Sequence, residues 1–146
     1  GSSFLPSEVV AAFLWAQLEE LDNIQNRRKL LWNKYYELLK PFADKGIFAL
    51  PDVPEYATNN AHMFYLVCNN LEERTALIKK IKENGAQAVF HYLSLHSSEY
   101  YKDKHDSRDL PNCDRYADCL VRLPLFYELK EKDVDYIRDV INEIVV

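Results

Sequence analysis

Glycine is scarce in this chain of 146 residues, with three in total. Neither GxGxxG nor GxxxxGK(S/T) occurs, which excludes the glycine-rich loops that cradle phosphates through backbone N–H groups. Basic residues are also in deficit, because 18 Lys and Arg stand against 23 Asp and Glu and leave a net charge of −5. Nucleic-acid-binding domains usually carry a basic surplus, so no nucleic-acid partner is expected.

Cysteine is also sparse, and the spacing of Cys68, Cys113 and Cys119 matches no zinc motif. An odd count predicts reduced thiols, and pairing of Cys113 with Cys119 stays open as an alternative. His62, His105 and Cys113 are candidate metal ligands in number only, because nothing in their spacing brings them together. We therefore expect no metal site.

No apolar stretch is long enough to cross a bilayer, which takes about 20 residues. The first residues lack the charged segment of a secretory leader, so we expect a cytoplasmic protein with no membrane partner. The longest apolar run, residues 9–16 (VVAAFLWA), follows the helix start signal Pro6-Ser7-Glu8. A helix that is apolar on every side must be enclosed all round. We expect polypeptide outside this chain to cover it.

Helical periodicity and capping residues predict four long helices and one short one. Two helices open the chain, capped by Ser7 and Asp22, and the second ends near Gly46. A third follows a cap formed by Asn70 and Glu73, and it ends with Gly85 in a left-handed conformation. A short helix near 114–120 precedes the last helix. The inward face of the second helix comprises Ile24, Leu31, Tyr35, Leu38 and Phe42, and that of the last comprises Val134, Ile137, Ile141 and Ile144.

Residues 63–68, 88–92 and 121–126 are predicted as three β-strands because they are rich in strand-forming side chains. Their directions stay open, and a mixed sheet is one option. Residues 93–112 lose all periodicity, and loops of that length are often functional. The predicted fold class is α+β, with two N-terminal helices followed by a small three-stranded sheet with helices on one side.

The densest group of polar and aromatic side chains is residues 90–96 (FHYLSLH), where the second predicted strand opens into the long loop. Ligand sites favour such strand-end loops. The competing interpretation places His91 in a half-buried strand and His96 on the loop surface. No GxSxG elbow, paired carboxylates or other self-sufficient catalytic set is present.

Three segments together are similar to one protein family. They are residues 1–18 (GSSFLPSEVVAAFLWAQL), residues 60–65 (NAHMFY), and residues 88–96 (AVFHYLSLH) followed by 122–127 (RLPLFY). In order and spacing they resemble the C-terminal portion of a sugar aminotransferase of the DegT/DnrJ/StrS type. The resemblance extends over essentially the whole chain.

The resemblance implies the small α/β domain of a fold-type I enzyme that depends on pyridoxal 5′-phosphate. Residues 1–46 would link to a large domain, and residues 47–146 would form the small domain. Such enzymes act as homodimers and transfer an amino group, usually from glutamate, to a 4-keto-6-deoxy nucleotide sugar, here a dTDP sugar. The cofactor-anchoring lysine lies in the large domain. This chain alone is therefore expected to bind no cofactor and to be inactive.

The resemblance also implies site residues. His91, Tyr92 and His96 match the family's His-Tyr-x-Pro-x-His stretch, which lines the substrate side of the active site. Ser94 replaces the usual proline, so the loop loses a fixed φ. Ser3 stands where many members carry an asparagine that reaches the cofactor phosphate of the other subunit, and its hydroxyl can still donate a hydrogen bond.

Two alternatives stay open. The first is a free-standing α+β binding or regulatory module that dimerises through residues 7–18. The second is a dehydratase of the same fold, which uses the cofactor without the anchoring lysine. A Ser-x-x-x-x-Lys motif upstream in the parent gene would favour the transaminase, and an initiator Met near residue 1 would favour the module.

Overall fold

The chain is described here by a computed structural model covering residues 4–145. Within that range it forms five α-helices and one small β-sheet, which confirms the predicted α+β class. The elements in chain order are α1 (Glu8–Glu19), α2 (Leu21–Ala43), β1 (Phe48–Ala49), β2 (Phe64–Cys68), α3 (Leu71–Glu83), a 3₁₀ turn (Leu95–Ser97), α4 (Pro111–Cys119), β3 (Leu120–Leu123) and α5 (Glu131–Val145).

The described strands form one antiparallel sheet in the order β1-β2-β3. Phe48 pairs with Cys68 across β1 and β2, and Phe64 pairs with Leu123 across β2 and β3. The strand directions that the sequence left open are therefore antiparallel throughout this sheet. The sequence analysis misses β1, although residues 47–50 form a short apolar run between a glycine and a proline.

The predicted strand over residues 88–92 is wrong. Of these residues, only Val89 pairs with the sheet: its N–H donates to the Arg122 carbonyl at 3.2 Å, and its carbonyl accepts the Arg122 N–H at 2.8 Å. Continuing that register towards the N-terminus places Gln87, just before the predicted strand, opposite Pro124, which has no N–H to donate. In the other direction Tyr92 turns the chain away with a φ of 57°. A single bridge therefore replaces the strand, and β1 is the sheet's third member.

The helices α1 and α2 are separated at Glu20, whose φ and ψ of −97° and 10° interrupt the helical path. Ser7 caps α1 as predicted, because its Oγ accepts the Val10 N–H at 3.4 Å. The prediction that Asp22 caps α2 is wrong. Asp22 lies inside the first turn, where its negative charge complements the positive end of the helix dipole.

Both predicted ends of α3 are confirmed. Asn70 Oδ1 accepts the Glu73 N–H at 2.8 Å, and Glu73 Oε2 accepts the Asn69 N–H at 3.3 Å. The first of these bonds satisfies a donor that the first helical turn would leave unpaired, and the second ties the residue before the cap to the helix. At the other end Gly85 has a φ of 77°, a conformation that a side chain would disfavour.

One apolar core lies between one face of the sheet and the helices α2, α3 and α5, as predicted for helices on one side. Tyr35 lies at its centre, fully buried and stacked on Phe64 with ring centroids 5.0 Å apart. The Tyr35 hydroxyl donates to the Pro124 carbonyl at 3.1 Å, so its one polar group is satisfied. The other buried core residues include Leu31, Trp32, Leu39, Phe48, Leu66, Leu77, Ile81, Val121, Leu123, Val134, Ile137, Val140 and Ile141.

The helix α1 buries none of its residues. Phe13 is 71% exposed and Trp15 is 67% exposed, and α2 is the element that α1 contacts. The described chain therefore does not enclose its most apolar helix, and cover by polypeptide outside this chain stays a prediction. Over residues 4–145, no helix has both the length and the apolarity that crossing a membrane requires.

Candidate functional site

The segment that carries His91 runs along the free edge of β3. The bridge between Val89 and Arg122 fixes its backbone, and the strand β3 fixes Arg122 in turn. As a result His91 Nδ1 lies 3.3 Å from Arg122 Nη1, although the two residues are 31 positions apart in the chain. Both side chains are half-buried. A histidine and a guanidinium thus meet beside the sheet.

Tyr92 follows with its backbone in the left-handed region, at φ 57°. This conformation is uncommon for a bulky residue, and it is a feature that recurs at binding and active sites. The turn projects the phenol ring into solvent, tilted against His91 at a centroid separation of 4.7 Å. Two of the predicted site residues therefore form one exposed polar-aromatic surface.

His96, the third predicted substrate residue, lies on a different contact. Its Nε2 is 3.1 Å from Asp114 Oδ1 in α4, and the buried Ser94 hydroxyl donates to the same oxygen at 3.0 Å. Asp114 thus fastens the start of the long loop to α4. The ring of His105 packs on His96 with centroids 5.2 Å apart. The position without the family's proline is therefore held by hydrogen bonds instead.

The candidate metal ligands His62, His105 and Cys113 do not come together as one group. The set that does converge in the described chain is His96, Cys113 and Asp114, whose ligand atoms lie within 4.8 Å of one another. The contacts of Asp114 with Ser94 and His96 account for this proximity. The expectation of no metal stays a prediction.

All three thiols are free, so the alternative pairing of Cys113 with Cys119 is not formed. Burial raises the pKa of the Cys68 thiol to about 12, with the nearby Glu73 carboxylate adding to the shift. Burial also raises the pKa of Cys119. Both buried thiols are therefore protonated packing groups, and Cys113 is the exposed one.

An open groove of about 440 Å³ lies beside this surface, within the range of small-molecule sites. Its polar lining groups are His62, Gln87 and Arg122, and its other walls are Met63, Val89, Leu123, Pro124, Leu125 and Phe126. The loop before β2 shapes one side, because Arg28 donates to the carbonyls of Ala61 and His62 and so ties that loop to α2.

The residues missed as site residues by the sequence analysis are Arg122, Gln87 and Asp114. Arg122 lies within the segment 122–127 that carries the family resemblance, which is the one signal that points to it. Nothing local marks the other two, because their contacts join segments about 20 or more positions apart along the chain. Ser3, the candidate for cofactor contact, lies outside the described residues.

The side chains that line the groove beside β3 cannot anchor pyridoxal phosphate covalently. The cofactor's aldehyde needs a lysine amine, and no lysine lines the groove beside β3. The polar groups that line the groove are the imidazole of His62, the amide of Gln87 and the guanidinium of Arg122, and they suit hydrogen bonding to a substrate instead.

A sequence profile of the DegT/DnrJ/EryC1/StrS aminotransferase family matches residues 1–142. Because the match extends over nearly the whole length, the chain belongs to this family. Aminotransferases of the family depend on pyridoxal phosphate.

Solved structures show the same fold. A DegT DnrJ EryC1 StrS aminotransferase from Brucella abortus is 25% identical over 92% of this chain and 34% of its own, with a TM-score of 0.76. The pyridoxal phosphate form of a putative sugar aminotransferase, Spr1654 from Streptococcus pneumoniae, is 22% identical over 90% of this chain and 34% of its own, with a TM-score of 0.78. An aminotransferase from Psychrobacter cryohalolentis is 15% identical over 99% of this chain and 40% of its own, with a TM-score of 0.87. The chain thus spans between 34% and 40% of the length of these three proteins.

Proposed function

We propose that this chain is the C-terminal part of a pyridoxal-phosphate-dependent sugar aminotransferase. The whole enzyme transfers an amino group from glutamate to a 4-keto-6-deoxy nucleotide sugar. We assign it to the type of dTDP-4-amino-4,6-dideoxygalactose transaminase, of the kind used in lipopolysaccharide and surface-antigen synthesis. The observation that carries the proposal is the family match over residues 1–142, together with an apolar helix that this chain leaves uncovered.

The exposed helix α1 is the junction in this proposal. Residues 1–46 lead from the large domain, and residues 47–146 form the small domain. The apolar side chains of α1 pack on the large domain near the homodimer interface, which removes them from water. The packing of α2 supports this arrangement. Leu31 and Tyr35 anchor α2 in the core of the small domain, whereas α1 buries none of its residues there.

The surface formed by His91 and Tyr92, with His96 behind it, closes the sugar side of the active site. These side chains bind and orient the substrate through hydrogen bonds and ring contacts, and they exclude water. Ser3 would supply its hydroxyl to the cofactor phosphate across the dimer. The cofactor, when bound to the large domain, supplies the electron sink for amino transfer. The enzyme acts in the cytoplasm, with no membrane or nucleic-acid partner.

The first experiment replaces His91 in the full-length protein that contains this chain. His91→Ala is expected to raise the sugar KM or lower turnover more than it lowers the melting temperature, because the ring touches substrate and not the core. Tyr56→Ala, at an exposed aromatic residue outside the groove, is the control and should leave both unchanged. An unchanged kcat/KM for His91→Ala would leave His91 as a structural residue.

The second experiment titrates the isolated chain with pyridoxal phosphate and records the visible absorbance. No saturable band is expected, because the anchoring lysine is in the large domain. A stoichiometric band would contradict the assignment of the anchor to another part of the protein.

The alternative of a free-standing module rests on the same exposed helix. If residues 7–18 formed a dimer interface of such a module, the isolated chain would dimerise tightly and Phe13→Asp would abolish the dimer. Sedimentation equilibrium measures this directly. Under the aminotransferase proposal, amino transfer by the full-length protein is the deciding assay, and its absence in a folded, cofactor-loaded protein would favour the module.

A further inference from the structure

Three side chains of the kinds that bind metals meet where the long loop joins α4. His96 lies in the 3₁₀ turn, and Cys113 and Asp114 lie in the first turn of α4. One ligand atom from each lies within 4.8 Å of the other two. The expectation of no metal rests on the spacing of His62, His105 and Cys113 along the chain, and the fold assembles a different set.

Hydrogen bonds within the protein hold this set together. The Ser94 hydroxyl donates to Asp114 Oδ1 at 3.0 Å, and His96 Nε2 lies 3.1 Å from the same oxygen. Cys113 Sγ lies 3.5 Å from the Ser94 oxygen. Ser94 itself is buried, so its bonds are shielded from water. Ligands that are already ordered in this way lose less conformational freedom when they bind an ion.

The donor types and their separations suit zinc. Zn²⁺ binds cysteine sulfur, histidine nitrogen and carboxylate oxygen at about 2.0–2.3 Å, so the ligand atoms of a tetrahedral site lie about 3.3–3.8 Å from one another. His96 Nε2 and Asp114 Oδ1 are 3.1 Å apart, and the ligand atoms of the whole group lie within 4.8 Å of one another. Side-chain movements of an ångström or so would therefore bring all three atoms into bonding distance.

The charges of the three ligands also balance a divalent cation. Metal binding needs the thiolate, the carboxylate and the neutral imidazole. The two anionic ligands then offset the two positive charges of the ion. Oxygen ligands alone favour Mg²⁺ or Ca²⁺, whereas a thiolate and an imidazole select a softer metal such as zinc. Cys113 is exposed, so an ion can reach the site from solvent.

We propose that His96, Cys113 and Asp114 form a zinc-binding site, in which three protein ligands leave the fourth position to water. On binding, the Cys113 thiol releases its proton to solvent. The Asp114 carboxylate only accepts hydrogen bonds, so the neutral His96 ring carries its proton on Nε2 beside it. That proton moves to Nδ1 when Nε2 binds the ion. Ser94 orients the carboxylate.

Binding of zinc would fasten the long loop at both of its ends. His96 lies near the start of the loop, and Cys113 and Asp114 lie just past its end, so one ion ties the ends of residues 97–112 together. None of the three ligands lines the groove beside β3. The inference goes beyond the proposed function, and amino transfer by the full-length protein, present or absent, does not affect it.

The binding test titrates the reduced chain with Co²⁺, a spectroscopic substitute for Zn²⁺, and then with Zn²⁺. One equivalent of Co²⁺ should produce a near-ultraviolet thiolate-to-cobalt band, and Zn²⁺ should displace it because the same ligands bind zinc more tightly. Zn²⁺ should also release about one proton per chain near neutral pH, from the Cys113 thiol. The absence of a saturable thiolate band overturns the proposal.

Variants with a matched control show whether these residues bind the ion. Cys113→Ser should abolish the thiolate band, and Asp114→Asn should weaken Zn²⁺ binding by about tenfold or more. Asp118→Asn is the control, because Asp118 is an exposed carboxylate of the same helix and lies outside the cluster. Weak binding of equal strength in the wild type and in Cys113→Ser would mean an adventitious ion only and would overturn the proposal.

A measurement on the wild-type chain covers the case in which a variant fails to fold. In long-range ¹H–¹⁵N spectra, Zn²⁺ should shift His96 Nε2 and place the ring proton on Nδ1. The exposed ring of His62, which is outside the cluster, should keep its signals. Shifts at His62 with His96 unchanged would contradict the site, even if zinc bound to the chain.

Discussion

The helices α1 and α5 are both rich in apolar side chains, yet only α5 buries them. In α5 the apolar residues recur on one face, and Val134, Ile137, Val140 and Ile141 all lie in the core. In α1 they occur all round the helix, and none is buried. The periodicity of apolar residues, and not their number, decides whether a helix can bury its apolar side chains against its own chain. An all-round apolar helix needs cover from several sides, which a helix projecting from a small domain does not receive.

The comparison is tested most strongly by the same substitution in the core and in α1. Leu39→Ala removes a fully buried side chain of α2 and should lower the free energy of unfolding by about 2–5 kcal/mol, since it leaves a cavity. Leu14→Ala in α1, at 51% exposure, should change it by less than about 0.5 kcal/mol. Urea denaturation of the isolated chain measures both. Equal losses would show that α1 is part of the cooperative core.

A smaller effect is expected from a single buried hydroxyl. Tyr35→Phe leaves the Pro124 carbonyl without its partner and should lower the free energy of unfolding by about 1–2 kcal/mol. Tyr136→Phe is the matched control, because its hydroxyl donates to the Asn84 carbonyl at 3.0 Å on the exposed surface. That change should stay within about 0.5 kcal/mol. A larger loss for Tyr136→Phe would mean that the hydroxyl of Tyr35 is not the critical one.

The helix caps extend the comparison to local structure. Asn70→Ala removes the cap of α3, which packs on the core, and should lower the global free energy of unfolding by about 1 kcal/mol. Ser7→Ala should fray α1 and reduce the helical circular-dichroism signal, with no shift of the global transition, since α1 is not coupled to the core. A global shift for Ser7→Ala equal to that for Asn70→Ala would break the distinction.

The smallest expected effect is a loss of stability at alkaline pH, which is caused by the buried thiol of Cys68. Its pKa rises from the ordinary 9.0 to about 12 on folding, so between these values the unfolded chain has lost a proton that the native chain keeps. Stability is therefore unaffected below pH 9 and falls as the pH rises from 9 towards 12. Burial raises the pKa of Tyr35 as well and adds a change of the same sign.

Cys68→Ala should make this alkaline decline shallower in pH-dependent urea denaturation. Cys113→Ala, at the exposed thiol, should leave it as in the wild type. A decline that is identical in all three proteins would contradict the assignment to Cys68.

Local patterns in the sequence predict most of the helices. The caps at Ser7 and Asn70, the left-handed Gly85 and the exposed α1 follow from short-range rules. The inward face of α2 is only half predicted. Leu31 and Tyr35 are buried, whereas Leu38 and Phe42 are partly exposed and Leu39 takes a core position. Which side of a broad apolar stripe faces the core depends on the partner helices.

The sheet and the site depend on contacts that no local pattern encodes. Residues 88–92 have the composition of a strand, but the turn at Tyr92 on one side and Pro124, opposite Gln87, on the other limit the pairing to Val89. His91 stands out in the sequence as a polar residue at a predicted strand end. Its partner Arg122 comes from a segment 31 residues away, so their meeting could only be seen in the fold.

The most direct test of the central claim is the solvent access of Trp15 in two forms of the protein. Trp15 is 67% exposed and Trp32 is 7% exposed, so Trp32→Phe leaves Trp15 as the single tryptophan of this chain, and any tryptophan in the rest of the full-length protein is replaced by Phe as well. Acrylamide quenching should be strong in the isolated chain at low concentration and weak in the full-length protein, where the large domain covers α1. Shielding of Trp15 in the monomeric isolated chain, or strong quenching in the full-length protein, would contradict the account.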